Sequence, residues 1–541
     1  MLLRSSLERI KKMRIGVLEL QSYPANHAWD YIEHFFSNKQ YASITPQAIS
    51  FWCRQMGHQV YYVTYPGFGD PISNMPDDLD IVFIATHTLT APLAYALCKV
   101  YRGEGTRTVL GGPHAKSFPQ DCVRYSDLVV LECDQALVED IIHDRYPPGS
   151  IISSPAPYQE VPLIEERLPE IKIASFVAGR PHPGSFIPLL SSMGCPYTCN
   201  FCSDWNNPYL PLSNERLLED LHFASETYPG VKLVFHDPNF AVRFEEVMAV
   251  LERIPPNKQS PYGVQSTFTI LRTDRLERLR DTHCIFILPS IESWTTMYSN
   301  KLGVGKIEAG EKLAQMVEKF RTLREYIPYL GTNLIFGLDH DSGPEPFELT
   351  KEFLLRAPFV YPTLHIPIPF GGTPMFDTLL KEGRILKTMP FTFYRVPHMT
   401  ILFKNYDPIE YMEYMVDLFA TASSQTLLKM RFASDNNFIA RGINLMRTIT
   451  AKRRYKVFGN TLELLKNDPQ FLAFHKGETE KLPDHYVLEY KRIMGKYSEL
   501  VPVGENSWHD FERSEATVGV QPQVINVPKS SDRLFNTMSS T

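Results

Sequence analysis

No run of about twenty apolar residues occurs anywhere in the 541-residue sequence, so no segment reads as a membrane-spanning helix. Positive charge is not in excess. Lys and Arg number 55 against 61 Asp and Glu, and the resulting net charge of −6 gives no electrostatic case for nucleic acid. There is no G-x4-G-K-[ST] phosphate loop and no G-x-S-x-G nucleophile elbow, so ATP chemistry and serine hydrolysis have no motif support. Residues 1–12 (MLLRSSLERIKK) lack the continuous apolar core and small-residue cleavage site of a signal peptide. Cysteine is sparse, eight in all, and three of the eight are clustered. That usage suits a reducing compartment better than a disulfide framework, and the cytoplasm is the expected location. What remains is an ordinary globular composition, 43% hydrophobic and 21% charged, long enough for about three domains.

The cluster is SSMGCPYTCNFCSDW, which spaces Cys195, Cys199 and Cys202 as C-x3-C-x2-C. Three thiolates this close can hold three corners of a cubane 4Fe-4S cluster. A fourth cysteine would complete the ligation of a plain electron carrier. The next cysteine is Cys284, so one iron would stay open to a substrate. Zinc held by the three thiolates and Asp204 is an alternative, as is a chance group of structural thiols. With the aromatic Phe201 before the last cysteine, the array resembles the signature of the radical S-adenosylmethionine (SAM) enzymes. In that family the open iron chelates the amino and carboxylate groups of SAM.

Around the array, apolar strands alternate with helices twice. Over residues 13–150, RIGVLEL, HQVYYVTY, DIVFIAT, TRTVLGG and DLVVLE read as strands of a Rossmann-like, parallel, doubly wound sheet. Ligands of such sheets sit beyond the strands' carboxyl ends. VLGGPHAKSFPQD falls there, and Gly111 and Gly112 would admit a ligand to backbone that a Cβ would block. This sheet and its GGPHA stretch resemble the cobalamin-binding domain that precedes some radical SAM cores. The resemblance implies cobalamin contacts at Gly111, Gly112, Pro113 and His114. The chain departs from the D-x-H-x-x-G motif of cobalamin modules, having QSYPANHAWDY after its first strand. His27 is a candidate axial ligand, with an ordinary loop histidine as the alternative reading. Residues 151–185 are proline-rich and read as an ordered linker.

Residues 186–400 carry six further strand–helix units, short of the eight of a closed barrel, and the expected fold is the partial (β/α)6 barrel of the radical SAM core. Active groups in parallel α/β architectures come from strand ends. FHDPNF places Asp237 and Asn239 at one, although Asp-Pro-Asn reads equally well as a turn. Gln265 ends the next strand. ILPSIESW resembles the family's I-E-S segment and makes Glu292 and Ser293 candidates for SAM. A carboxylate can accept both ribose hydroxyls. With Phe201, these are the implied SAM-binding residues. Gly371, Gly372 and Pro374 are expected to shape a turn.

Residues 401–503 read as amphipathic helices, with KRRYK at 452–456 a solvated basic face, and 504–541 as a disordered tail. The resemblance implies reductive cleavage of SAM to methionine and a 5′-deoxyadenosyl radical. It further implies C-methylation of a small or lipid-like molecule from methylcobalamin, with electrons from a carrier such as a flavodoxin or ferredoxin. Cyclisation or rearrangement by the same cofactors is the alternative enzyme reading, and a non-catalytic iron–sulfur or zinc scaffold the alternative of another class. A methylthiotransferase would carry three more cysteines in its first domain. Cys53, Cys98, Cys122 and Cys133 show no such arrangement.

Overall fold

The structure is a computed structural model that describes residues 12–24, 42–155, 160–205, 207–270, 272–295, 308–435, 438–504 and 524–526. His27 and the segment following Thr295 lie outside the described residues. The chain folds as two compact units, one comprising 1–182, 493–501 and 514–541, the other 183–492 and 502–513.

The first unit is built on a parallel sheet. β1 (Arg14–Leu20), β2 (Gln59–Tyr65), β3 (Ile81–Thr86), β4 (Arg107–Gly111), β5 (Leu128–Val130) and β6 (Ser150–Ser153) are its first six strands in chain order. A seventh strand, the last of the chain, comes from Val524–Asn526, inside the stretch expected to be disordered, and pairs with β6. From that edge strand the spatial order runs β6, β5, β4, β3, β1, β2. β6 and the helix Leu168–Ala174 also correct the linker reading, because residues 151–182 belong to this unit. Four-residue β6 is too short to stand out by period.

Continuous apolar runs form the inner strands because helices cover both faces. Ile15, Leu18, Val82, Leu110, Leu128 and Val129 are fully or almost fully buried, each contributing roughly 1.5–3 kcal/mol from water exclusion. The helix Ala91–Gly103 starts with Pro92 in its first turn and packs on β3 and β4. The helix Gln135–Ile142 is capped by Asp134, whose side chain accepts from Leu137 N at 2.8 Å.

The second unit holds the six expected parallel strands. They are β7 (Phe186–Leu189), β10 (Lys232–Phe235), β11 (Tyr262–Ser266), β12 (Cys284–Pro289), β13 (Tyr329–Ile335) and β14 (Val360–His365). Their spatial order is their chain order, β7 and β14 are its two edges, and a helix follows every strand. Between β7 and β10 lies an antiparallel ribbon, β8 (Ser192–Met193) with β9 (Leu210–Pro211), that alternation in sequence did not reveal. Residues 401–492 belong to this same unit, which they furnish with helices. The helix Pro408–Ala422 buries Tyr411, Met412, Met415, Leu418 and Phe419, and Tyr411 Oη donates to Phe336 O just beyond β13 at 2.9 Å. Among the described residues no helix is long and apolar enough to cross a membrane.

Candidate functional site

The three cysteines follow the ribbon strand β8 on one loop, and all are partly exposed, whereas the other five cysteines are buried. Backbone bonds Cys202 N to Cys199 O (3.1 Å) and Trp205 N to Cys202 O (3.0 Å) coil the loop tightly. Burial pushes the Cys202 thiol up to about 11, and Cys199 and Cys195 are near enough to add to that rise. Among the described residues no three His, Cys, Asp or Glu side chains converge as a closed metal group. The donor set nevertheless fits iron–sulfur chemistry, with three soft sulfur ligands on one loop and no fourth thiol among its neighbours.

Gly194 aims the first cysteine. It has a φ of +67°, and a Cβ there would lie 2.7 Å from Pro208 C and 2.8 Å from Asn207 O, nearer still to Pro208 O. The ribbon brings that backbone against it. Below the loop, Asp237 is buried and accepts from Ser191 N (2.9 Å), Ser191 Oγ (2.6 Å) and Ser192 Oγ (2.7 Å). Burial raises its carboxyl above the usual range, and the serine bonds oppose that rise. Arg243 donates to Ser191 O (2.5 Å), Leu212 O (2.8 Å) and Asn214 Oδ1 (2.7 Å). On the other side, Met375 N donates to Asn200 O (2.9 Å), and the Trp205 indole donates to Gly372 O. The cysteine loop thus ties the connection after β7 to the connection after β14, spanning the gap between the barrel's unpaired edges. Gly372, at φ +78°, and Thr373, whose hydroxyl caps the next helix at Phe376 N, form the expected turn.

The proposed SAM residues fall into two groups. Phe201 is half-buried on the cysteine loop, Gln265 is exposed on β11, and Glu292 is half-buried after β12. Glu292 has a φ of +63°, a conformation that costs a side-chain-bearing residue about 1–3 kcal/mol. Two bonds to β13 hold it there, Glu292 N to Asn333 O (2.9 Å) and Ile335 N to Glu292 O (2.7 Å). Asp237, Asn239 and Ser293 are instead buried in the framework. Asn239 Oδ1 accepts from Ala241 N and Thr267 N, both 3.2 Å. Ser293 Oγ donates to Asp341 Oδ1 (3.1 Å), and its carbonyl accepts from the buried Lys312 (2.7 Å).

Sequence reasoning missed a polar row beside Glu292. Asn333 Nδ2 donates to Ser290 Oγ at 3.0 Å, and His365 Nε2 lies 3.4 Å from Asn333 Oδ1. Burial holds the His365 imidazole down at about 4, neutral at physiological pH. The signal was present: each residue ends or nearly ends an apolar strand of the barrel.

In the first unit the strand order reverses between β1 and β3, and sheets of this kind take ligands at the carboxyl ends of the strands flanking such a reversal. Gly112 has a φ of +96°, and a Cβ there would meet Thr86 O at 2.7 Å and Thr86 N at 2.9 Å. Packing against β3 therefore requires this glycine, whereas a Cβ on Gly111 would make only ordinary contact, 3.7 Å from Val130 O. Pro113 is exposed, but His114 is completely buried. Tyr95 Oη donates to Asp121 Oδ2 (2.5 Å) and so receives the His114 Nε2 proton (2.6 Å). Burial keeps that imidazole neutral, down at about 3. His114 anchors the loop, and its ring would have to leave this position to touch a ligand. His87 is the half-exposed histidine that sequence reasoning passed over, immediately after β3 at the reversal. Burial lowers its affinity for a proton.

No family model matches the chain. It is 23% identical over 369 residues to bacteriochlorophyllide d C-8(2)-methyltransferase of Chlorobaculum tepidum, covering 63% of this chain and 77% of that one. It is 27% identical over 221 residues to hopanoid C-3 methylase of Methylococcus capsulatus, 39% of each chain. Among solved structures, the radical SAM methyltransferase TsrM of Kitasatospora setae, with cobalamin and a [4Fe-4S] cluster bound, superposes with a TM-score of 0.53 at 11% identity. That match covers 82% of this chain and 99% of TsrM. With the cysteine loop in place on a six-stranded parallel barrel, the chain shares the fold of TsrM and is similar in sequence to these two methylating enzymes.

Proposed function

We propose that the protein is a cobalamin-dependent radical SAM C-methyltransferase acting on a small or lipid-like molecule. The observation that carries this reading is the braced loop presenting three partly exposed thiols at the open edge of a parallel barrel, with the other five cysteines buried. Cys195, Cys199 and Cys202 would hold the cluster, and Gly194, Asp237 and Arg243 position their loop. Phe201, Gln265 and Glu292 would receive SAM, the strained Glu292 carboxylate accepting ribose hydroxyls. Asn239 and Ser293 support that wall from behind it. Gly111, Gly112, Pro113 and His87 would border cobalamin, with His114 anchoring their loop. The cofactors, when bound, supply one-electron cleavage of SAM and the methyl group, and the protein's part is to position them and exclude water. Ser290, Asn333 and His365 offer uncharged polar contacts beside the reacting carbon. A soluble carrier such as a flavodoxin or ferredoxin would deliver electrons, in the cytoplasm.

The relatives support the substrate class, since their names specify a bacteriochlorophyllide and a hopanoid. The test is anaerobic reconstitution with iron, sulfide and hydroxocobalamin, then desalting, spectroscopy, and addition of dithionite and SAM. Wild type should retain cluster and cobalamin and release 5′-deoxyadenosine, and Cys202→Ala should lose the cluster and the product. Deoxyadenosine without retained cobalamin would refute methyl transfer and favour cyclisation or rearrangement. Loss of neither cluster nor product in Cys202→Ala would refute the site.

A further inference from the structure

The helix Phe438–Asn467 is amphipathic in the inverted sense over its first three turns. A helix packed on a globular core ordinarily turns its apolar stripe inward and its polar residues to water. Here Ala440, Asn444, Arg447 and Thr448, spaced at four, three and one, face inward and are buried. They are held by polar bonds. Asn444 Nδ2 donates to Asp435 Oδ2 (2.7 Å), Arg447 donates to Asn444 Oδ1 (2.9 Å) and to Val360 O at the start of β14, and Arg431 donates to Thr448 Oγ1 (2.7 Å).

The outward face is apolar. Phe438 is 89% exposed, Ile439 63%, and Ile443, Leu445, Met446 and Ile449 between 37% and 44%. Scattered exposed apolar residues need no explanation, but six on one face of three turns form a contiguous patch of the kind that marks an interaction surface. The row Leu445–Ile449 continues at the same spacing into Lys452 and Lys456, both exposed. Arg441 lies among the apolar residues, and no acidic residue occurs between 438 and 462, in a chain of net charge −6.

We infer that this helix lies on an anionic lipid surface, its apolar row in the acyl boundary and Lys452 and Lys456 at the headgroups. The charge of the face selects this occupant. An apolar face flanked by lysines is the pattern of interfacial helices, and the long lysine stems can reach from the boundary to the phosphates. With no spanning helix among the described residues, the protein would rest on the surface rather than cross it. The inference rests on this helix alone and stands or falls independently of the radical chemistry.

Sedimentation of the full chain with vesicles of phosphatidylcholine, alone or doped with phosphatidylglycerol, tests it. Wild type should bind the doped vesicles more tightly. The variant Ile443→Ser, Leu445→Ser, Met446→Ser, Ile449→Ser should lose binding to both while melting as wild type, since all four side chains are exposed. Lys452→Gln with Lys456→Gln should weaken binding to doped vesicles by roughly 25-fold, about fivefold per charge, and leave neutral vesicles unaffected. Absence of wild-type binding to either vesicle, or equal binding by the serine variant, would overturn the inference. So would a wild-type dimer that the serine variant dissociates, which would assign the face to a second copy of this chain.

Discussion

Replacing Gly194 with alanine should detach the cysteine loop from its ribbon. Two costs add. A left-handed φ of +67° costs an alanine about 1–2 kcal/mol. The new Cβ would also overlap Pro208 O, Pro208 C and Asn207 O, all backbone atoms that no rotamer change can move. Relieving such an overlap by shifting backbone costs roughly 1–3 kcal/mol more. The expected loss is therefore about 2–5 kcal/mol, with Cys195 displaced from Cys199 and Cys202. Gly383 supplies the control, because it has the same φ of +67° with nothing within 4 Å of its Cβ. Gly383→Ala should lose only the backbone share and keep full iron and sulfide per chain after anaerobic reconstitution. Gly194→Ala should melt lower than Gly383→Ala and hold a minor fraction of that iron. Equal melting points and equal iron in the two variants would show that the Pro208 contact does not place the cysteine, and the positioning argument would fail.

Two further tests probe buried carboxylates. Glu19 on β1 accepts from Ser43 N (2.7 Å) and Tyr62 Oη (2.9 Å), yet burial raises it from 4.5 to about 7. A raised carboxyl binds its proton more tightly when folded, so the stability contributed by Glu19 should be fullest below pH 4.5 and be lost as pH rises to about 7, by roughly 3 kcal/mol at most. Urea melts from pH 5 to 8 should show that slope against Glu19→Gln, and parallel slopes would refute it. Asp237→Asn turns an acceptor into a donor facing Ser191 N, at about 1–3 kcal/mol. Melting temperature and iron content should fall together, and an unchanged melt with weakened SAM binding would make Asp237 a direct SAM contact instead.

Much of the fold was legible because parallel strands covered on both faces must be continuously apolar and must be joined by helices. RIGVLEL carries that record in consecutive residues, and its bounds came out as β1. Short elements carry too little of it. β6, the two-residue strands β8 and β9, and Val524–Asn526 exist because a partner strand lies alongside, and strands this short leave no local period, whether the partner is near, as Pro211 is to Ser192, or far, as Val524 is from Ile151. The turn at Gly371–Pro374 was readable from residue type, but its docking of the cysteine loop was not.

The sequence by itself determined the chemistry on offer: three thiolates at ligand spacing, the strand–helix alternation that makes a parallel barrel, and the absence of motifs for rival reactions. Only the tertiary structure decided which polar residues are buried in hydrogen bonds and which stay partly exposed near the strand ends. Asp237, Ser293 and His114 looked like ligands in sequence, yet the fold spends them on hydrogen bonds beneath their loops. It leaves Glu292, His365 and His87 less deeply buried near the strand ends. The physical reason is that spacing along the chain sets which residues can be neighbours, whereas the side to which a side chain turns depends on what packs behind it. A buried polar group must find a partner there, and those partners come from strands and turns far away in sequence.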